Sequence, residues 1–141
     1  YIAGLDESFR GRFEIISALM DGMDVVESGT AMALNINFAL MSGMAASDAL
    51  PRGFSEAEIL ALVQMQRDTI RVAVRNGVLE NMAYTYRDLS DAELEAYSAF
   101  LGTPDARAFY DAINRATEEL VTRDARILGR RITDMSAERE L

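Results

Sequence analysis

The sequence predicts an all-α protein, a compact bundle of five or six helices joined by short turns. Alanine, leucine, methionine, glutamate and arginine dominate the chain, and these residues favour helix, whereas valine, isoleucine and aromatic residues are too scattered for alternating strands. Only two prolines, Pro51 and Pro104, occur in 141 residues. Because no long linker divides the chain, we expect one helical domain over 1–131 and a frayed polar tail over 132–141.

The first predicted helix is amphipathic. Its apolar residues recur every three or four positions, the spacing of one helix face. They are Leu5, Phe9, Phe13, Ile16, Met20, Met23 and Val26. Asp6 is a suitable N-cap, and we predict a break near Ser28-Gly29.

The next segment, residues 28–47, carries no charge and reads SGTAMALNINFALMSGMAAS. As a helix it would be about 30 Å long, enough to cross a bilayer. Asn35 and Asn37 near its middle, and the absence of flanking basic or aromatic clusters, argue against a membrane span.

On a helical wheel this segment has two apolar faces separated by a strip of small residues. Leu34, Phe38, Met41 and Ala45 form one face, and Met32, Ile36, Leu40 and Met44 form the other. A helix with two apolar faces is buried on two sides, so we expect either the central helix of the bundle or a helix shared with a second subunit. The small strip would let another helix approach closely. Asn35 and Asn37 are therefore candidates for a buried polar contact or an interface contact.

The middle of the chain carries clear helix signals. Leu50 to Gly53 forms a predicted turn, and Ser55 with Glu58 forms a predicted capping box, with Phe54 and Ile59 as its hydrophobic staple. The helix is expected to continue through Val74. Asn76-Gly77 is a stop signal, with a kinked continuation as the alternative.

The same cap chemistry recurs 35 residues later, at Ser90 and Glu93, and starts a helix that we expect to end near Gly102. Thr103 then caps the last helix, and Pro104 takes its first position. The apolar stripe of this last helix comprises Phe109, Ile113, Ala116, Leu120 and Ile127.

Composition excludes several functions. The net charge is −9 and all 14 basic residues are arginine, so binding to nucleic acid is not expected. The chain has no cysteine and no histidine, which removes thiolate chemistry, the commonest general base and the commonest metal ligand. We therefore predict no catalytic residues, no metal site and no cofactor.

Two charged groups remain as candidates. Arg67, Arg71 and Arg75 form a basic ridge at four-residue spacing, which suits an anion or the carboxylates of neighbouring helices. Asp21, Asp24 and Glu27 form an acidic group that could bind a hard cation, although a solvated acidic face is the simpler interpretation. An internal ion-pair network is likewise the simpler interpretation of the arginines.

The stretch YRDLSDAELEAYSAFLGTPDARAFY, residues 86–110, resembles the signature of the bacterial domain-of-unknown-function family 2059. That family has a Ser/Thr-x-x-Glu-Leu helix start followed by a Phe-Tyr-x-Ser-Pro-x-Gly corner. Residues 90–94 match the start. Residues 100–106 stand at the corner, with Leu101, Thr103 and Ala106 in place of the tyrosine, serine and glycine.

The resemblance implies a helical, exported protein of Gram-negative bacteria, periplasmic or otherwise extracytoplasmic. Such proteins are usually made with a signal peptide, of which none is visible in these residues. The resemblance implies no activity and no catalytic residues.

These observations favour a non-enzymatic protein that acts through protein–protein contact or self-association, as a homodimer. The alternative is a carrier or sensor of a small apolar or anionic ligand, held between methionine-rich helices or on the arginine ridge.

Overall fold

The computed structural model describes residues 7–45 and 54–137, and these ranges hold six α-helices and no strand. The helices are α1 (Glu7–Gly22), α2 (Val25–Ala45), α3 (Glu56–Gln64), α4 (Arg67–Thr85), α5 (Asp91–Leu101) and α6 (Pro104–Ala137). The all-α bundle is confirmed. The predicted cap at Asp6 and the predicted turn at 50–53 lie outside the described residues.

The predicted break between the first two helices, at Ser28-Gly29, lies five residues after the observed one. The observed break falls at Met23 and Asp24, where Asp24 has a left-handed backbone with φ 52°, a conformation that aspartate tolerates better than most residues. Gly29 lies inside α2 instead. A Cβ on it would come within 3.0 Å of Val74 on α4, so this glycine allows close helix packing and does not end a helix.

The predicted stop at Asn76-Gly77 is also wrong, and the helix continues, as the alternative held, because α4 extends through Gly77 to Thr85. An exposed glycine inside a helix costs only about 1 kcal/mol. The apolar residues that follow it, including Val78 and Met82, pack against the core and outweigh that cost. The helix interruption occurs instead at Met65 and Gln66, which the sequence pattern does not mark.

The predicted caps are confirmed. Ser55 accepts a hydrogen bond from the backbone N–H of Glu58, whose carboxylate accepts one from the backbone N–H of Ser55, and Ser90 and Glu93 repeat the arrangement. Thr103 accepts a hydrogen bond from the backbone N–H of Ala106 at the start of α6.

The apolar core has two parts. One joins α1, α4 and α5 and is built on Ile16, Leu19, Met20, Met23, Met82, Leu94 and Leu101. The other joins α2 to α3 and is built on Leu34, Ile59 and Val63, with Phe54 and Ile70 packed against it. Phe54 packs against the cluster that contains Ile59, the residue predicted as its partner in the hydrophobic staple.

Helix α2 contacts α1, α3, α4 and α6, so it occupies the middle of the molecule. Four helices of the same chain therefore pack against it. No described helix is both long enough and apolar enough to cross a membrane. Helix α6 has 34 residues, about 51 Å, and continues six residues beyond the expected domain end at 131.

Candidate functional site

The apolar stripe of α6 is an unusual surface, because it faces away from the bundle. We call it the outer stripe. It comprises Phe109, Ile113, Ala116, Leu120 and Ile127, and every one of these side chains is exposed. Phe109 is 57% exposed and Leu120 is 50% exposed, although apolar faces of bundle helices normally point into the core.

The spacing within the outer stripe is that of a coiled-coil seam. Successive members are separated by four, three, four and seven residues, and Arg123 occupies the position skipped by the last interval. Such a heptad pattern keeps one narrow face of a helix apolar over several turns. The outer stripe therefore has the pattern of a helix that pairs with another helix.

The opposite side of α6 packs against α2. Glu118, nine residues after Phe109, lies about 180° around the helix from it. This α2-facing side is built from small and polar residues, among them Asn114, Glu118, Ala125 and Gly129.

At Gly129 the two helices nearly touch. A Cβ added to this residue would lie 3.2 Å from the Cα of Gly43 and 3.3 Å from the carbonyl oxygens of Ala39 and Leu40. The small strip predicted on α2 therefore does admit a closely packed neighbour, which is α6 of the same chain.

Polar contacts hold the same interface. The side-chain amide of Asn35 donates a hydrogen bond to Glu118 Oε1 at 2.6 Å, and the amide of Asn114 donates to the carbonyl oxygen of Met23 at 3.0 Å. Asn37 is half-buried, and its side-chain amide makes no hydrogen bond with a described residue. Of the two predicted asparagines, Asn35 thus joins two helices within one chain.

The arginine ridge divides into two parts. Arg71 Nε lies 2.5 Å from Glu27 Oε1, and Arg67 lies 3.4 Å from the other oxygen of the same carboxylate. The hydrogen bond from Arg71 lowers the pKa of Glu27. Arg75 is exposed and forms no ion pair with a described residue. Two of the three candidate anion ligands therefore tie α4 to α2.

The predicted acidic group does not converge. Burial raises the pKa of Asp24, and the neighbouring charges of Glu27 and Asp111 raise it further. Within residues 7–45 and 54–137, no three acidic side chains come close enough to bind a metal ion.

Arg12 is an important contact that the sequence pattern did not reveal. Its guanidinium donates hydrogen bonds to the carbonyl oxygens of Tyr86 and Leu89 and pairs with Asp91 at 2.7 Å. The loop between α4 and α5 is thereby tied to α1. An arginine on an amphipathic helix gives no signal of such a partner.

Tyrosines join α5 to α6. The hydroxyl groups of Tyr97 and Tyr110 share a hydrogen bond of 2.6 Å, and the ring of Tyr86 packs edge-on against Tyr97 at 6.0 Å. Burial, with the hydrogen bond to Tyr110, raises the pKa of Tyr97 well above its ordinary value. Tyr97 therefore stays protonated and structural at neutral pH.

A groove of about 560 Å³ lies beside the α2–α6 contact and is open to solvent. Charged residues dominate its lining, with Arg115, Arg126, Glu118 and Glu119 around Asn35. Arg123 lines the groove as well, so three arginines and two glutamates surround it, and this charged lining does not favour an apolar ligand.

Comparison of the chain with models of protein families, with curated proteins and with solved structures found no match.

Proposed function

We propose that this protein is a non-enzymatic helical protein that acts through protein–protein contact, as a homodimer whose interface is the outer stripe of α6. One observation carries the proposal. A heptad-spaced row of large apolar side chains lies exposed along about 27 Å of a helix.

The energetics support a covered stripe. Burying one leucine, isoleucine or phenylalanine side chain stabilises an assembly by about 1.5–3 kcal/mol relative to leaving it exposed. Four such side chains lie along the stripe, and exposed apolar patches mark interaction sites in water-soluble proteins.

The same reasoning moves the expected interface from α2 to α6. The sequence predicts the uncharged segment of α2 as either the central helix of the bundle or a helix shared with a second subunit, and α1, α3, α4 and α6 all pack against it. The stripe that offers a contact belongs to α6, on the side turned away from α2.

The remaining parts of the proposal rest on the sequence. A chain without histidine or cysteine has few ways to perform acid–base or nucleophilic catalysis, which supports a non-enzymatic role. The resemblance of residues 86–110 to an exported bacterial family supports an extracytoplasmic location.

The test compares Leu120→Glu with Val72→Glu. Both side chains are exposed apolar residues in helix interiors, at 50% and 60% exposure, and only Leu120 belongs to the outer stripe. Absolute mass is measured by light scattering on a sizing column over a hundredfold concentration range.

We expect the unsubstituted protein and Val72→Glu to have the mass of a dimer and Leu120→Glu to have the mass of a monomer. Circular dichroism of Leu120→Glu should retain the helical signal. A monomer at every concentration of the unsubstituted protein would refute the proposal, and so would a Leu120→Glu variant that dimerises as well as Val72→Glu.

A further inference from the structure

We infer that the outer stripe binds the same stripe of a second copy with the two α6 helices antiparallel. The inference rests on the proposed self-association and adds the orientation of the partner. Both the charge along α6 and the charges that flank the stripe carry it.

Charge is distributed unevenly along α6. Residues 104–119 contain four acidic and two basic side chains, for a net charge of −2, whereas residues 120–137 contain four basic and two acidic ones, for a net charge of +2. Antiparallel pairing sets the acidic half of each helix beside the basic half of the other. Parallel pairing sets the two acidic halves beside each other and the two basic halves beside each other.

The charged residues that flank the stripe also favour the antiparallel orientation. Glu119 and Arg126 immediately precede Leu120 and Ile127, which makes them g positions of the heptad, and Asp124 and Arg131 take e positions. In a parallel in-register pair, g residues meet e residues of the partner helix. Glu119 would then face an aspartate and Arg126 an arginine, and both contacts are repulsive.

The helix dipoles also favour the antiparallel orientation. In the protomer α6 runs parallel to α2, because Met23 lies beside Asn114 and Gly43 lies beside Gly129. The dipoles of these two helices therefore point the same way, and an antiparallel second α6 would compensate that of the first.

A two-fold axis through the stripe also closes the assembly. Each copy would use the same residues, so the stripes of both copies are buried and no apolar surface remains to bind a third copy. Phe109 of one copy then lies over the segment from Leu120 to Ile127 of the other. Ala116, the one small member of the row, leaves room near the middle for the larger side chains opposite.

Disulfide cross-linking tests the orientation, and it is simple here because the chain has no cysteine. The variants are Phe109→Cys, Leu120→Cys and Ile127→Cys, each oxidised alone and in mixtures after subunit exchange. Positions 109 and 127 are separated by about 27 Å along the helix, so an antiparallel pair cannot link both of them to themselves.

We expect Phe109→Cys to form a disulfide with Leu120→Cys or Ile127→Cys in the mixture, and neither Phe109→Cys nor Ile127→Cys to link to itself. Self-linking at both 109 and 127 would overturn the antiparallel orientation and leave the stripe as the interface. A dimer that forms none of these links would overturn the inference. A monomeric protein would overturn the proposed function as well.

Spin labels outside the stripe give a second measurement that does not alter the contact. Ala108 and Leu128 are exposed, lie on the flanks of α6 and are about 30 Å apart along it. Each labelled variant gives one distance between the two copies, 108 to 108 or 128 to 128. In an antiparallel dimer whose two-fold axis crosses α6 between these positions, the two distances sum to about 60 Å. Two distances that both stay near the spacing of packed helices, about 8–10 Å plus the reach of the labels, would overturn the inference.

Discussion

The two sides of α6 differ in a way that is unusual for a bundle helix. The side against α2 is small and polar, with Gly129 and Ala125 at the contact and Asn35 bonded to Glu118. The outer stripe is large and apolar, and it is exposed. A single chain therefore buries the less hydrophobic side of its longest helix.

The difference shows that helix packing within this chain is decided by shape as much as by hydrophobicity. Two glycines, Gly43 and Gly129, let the backbones of α2 and α6 come into direct contact. Close approach of the two backbones increases van der Waals contact along both helices. A row of bulky side chains between them would prevent this approach. The bulky row stays exposed on the other side of α6.

The largest effect on the α2-facing side should come from Gly129→Ala. The added methyl would lie 3.2–3.3 Å from backbone atoms of α2 that cannot rotate away, so the helices must separate. We expect the free energy of unfolding to fall by about 2 kcal/mol, measured by urea denaturation followed by circular dichroism.

The matched control is Gly77→Ala in α4, where an added Cβ meets nothing within 4 Å. Here the gain in helix propensity is unopposed, and the free energy of unfolding should rise by about 0.5–1 kcal/mol. If both substitutions stabilise the protein equally, the tight contact at Gly129 does not exist in solution.

A smaller effect is expected for the polar contact of the same side. Asn35→Ala removes the hydrogen bond to Glu118 and leaves that half-buried carboxylate without this donor, at a cost of about 1 kcal/mol. Asn37→Ala is the control, because Asn37 is also half-buried in α2 and its side chain makes no hydrogen bond with a described residue. Denaturation curves that do not distinguish the two variants would show that the Asn35 contact contributes nothing to stability.

The sequence predicted well the features that are set locally. The two capping boxes at Ser55 and Ser90 and the Thr103–Pro104 start of α6 depend on residues three or four positions apart, and all three are confirmed. The apolar character of the outer stripe was likewise visible in its spacing.

Features set by distant residues were not predictable in the same way. Periodicity shows which face of a helix is apolar but not what covers it, so it could not reveal that the outer stripe is exposed. Glycine gave the same difficulty: Gly29 was interpreted as a break and proved to be a packing contact with Val74. Arg12 gave no signal either, because its partners lie more than 70 residues away.

The smallest predicted effect concerns pH and again belongs to the contacts of α2. Arg71 lowers the pKa of Glu27 below its ordinary value of 4.5, so the ionised carboxylate stabilises the folded state above pH 4.5 and this contribution is lost as the pH falls below it.

Asp24 acts in the opposite sense. Burial raises its pKa above 3.8, so its favourable contribution is complete below pH 3.8 and is lost as the pH rises through the raised value. Between pH 6 and 3, Glu27→Gln should therefore lose stability less steeply than the unsubstituted protein, and Asp24→Asn more steeply, in urea denaturation at each pH. Parallel curves for all three proteins would mean that neither carboxylate is coupled to folding, and that α2 is held by its uncharged contacts alone.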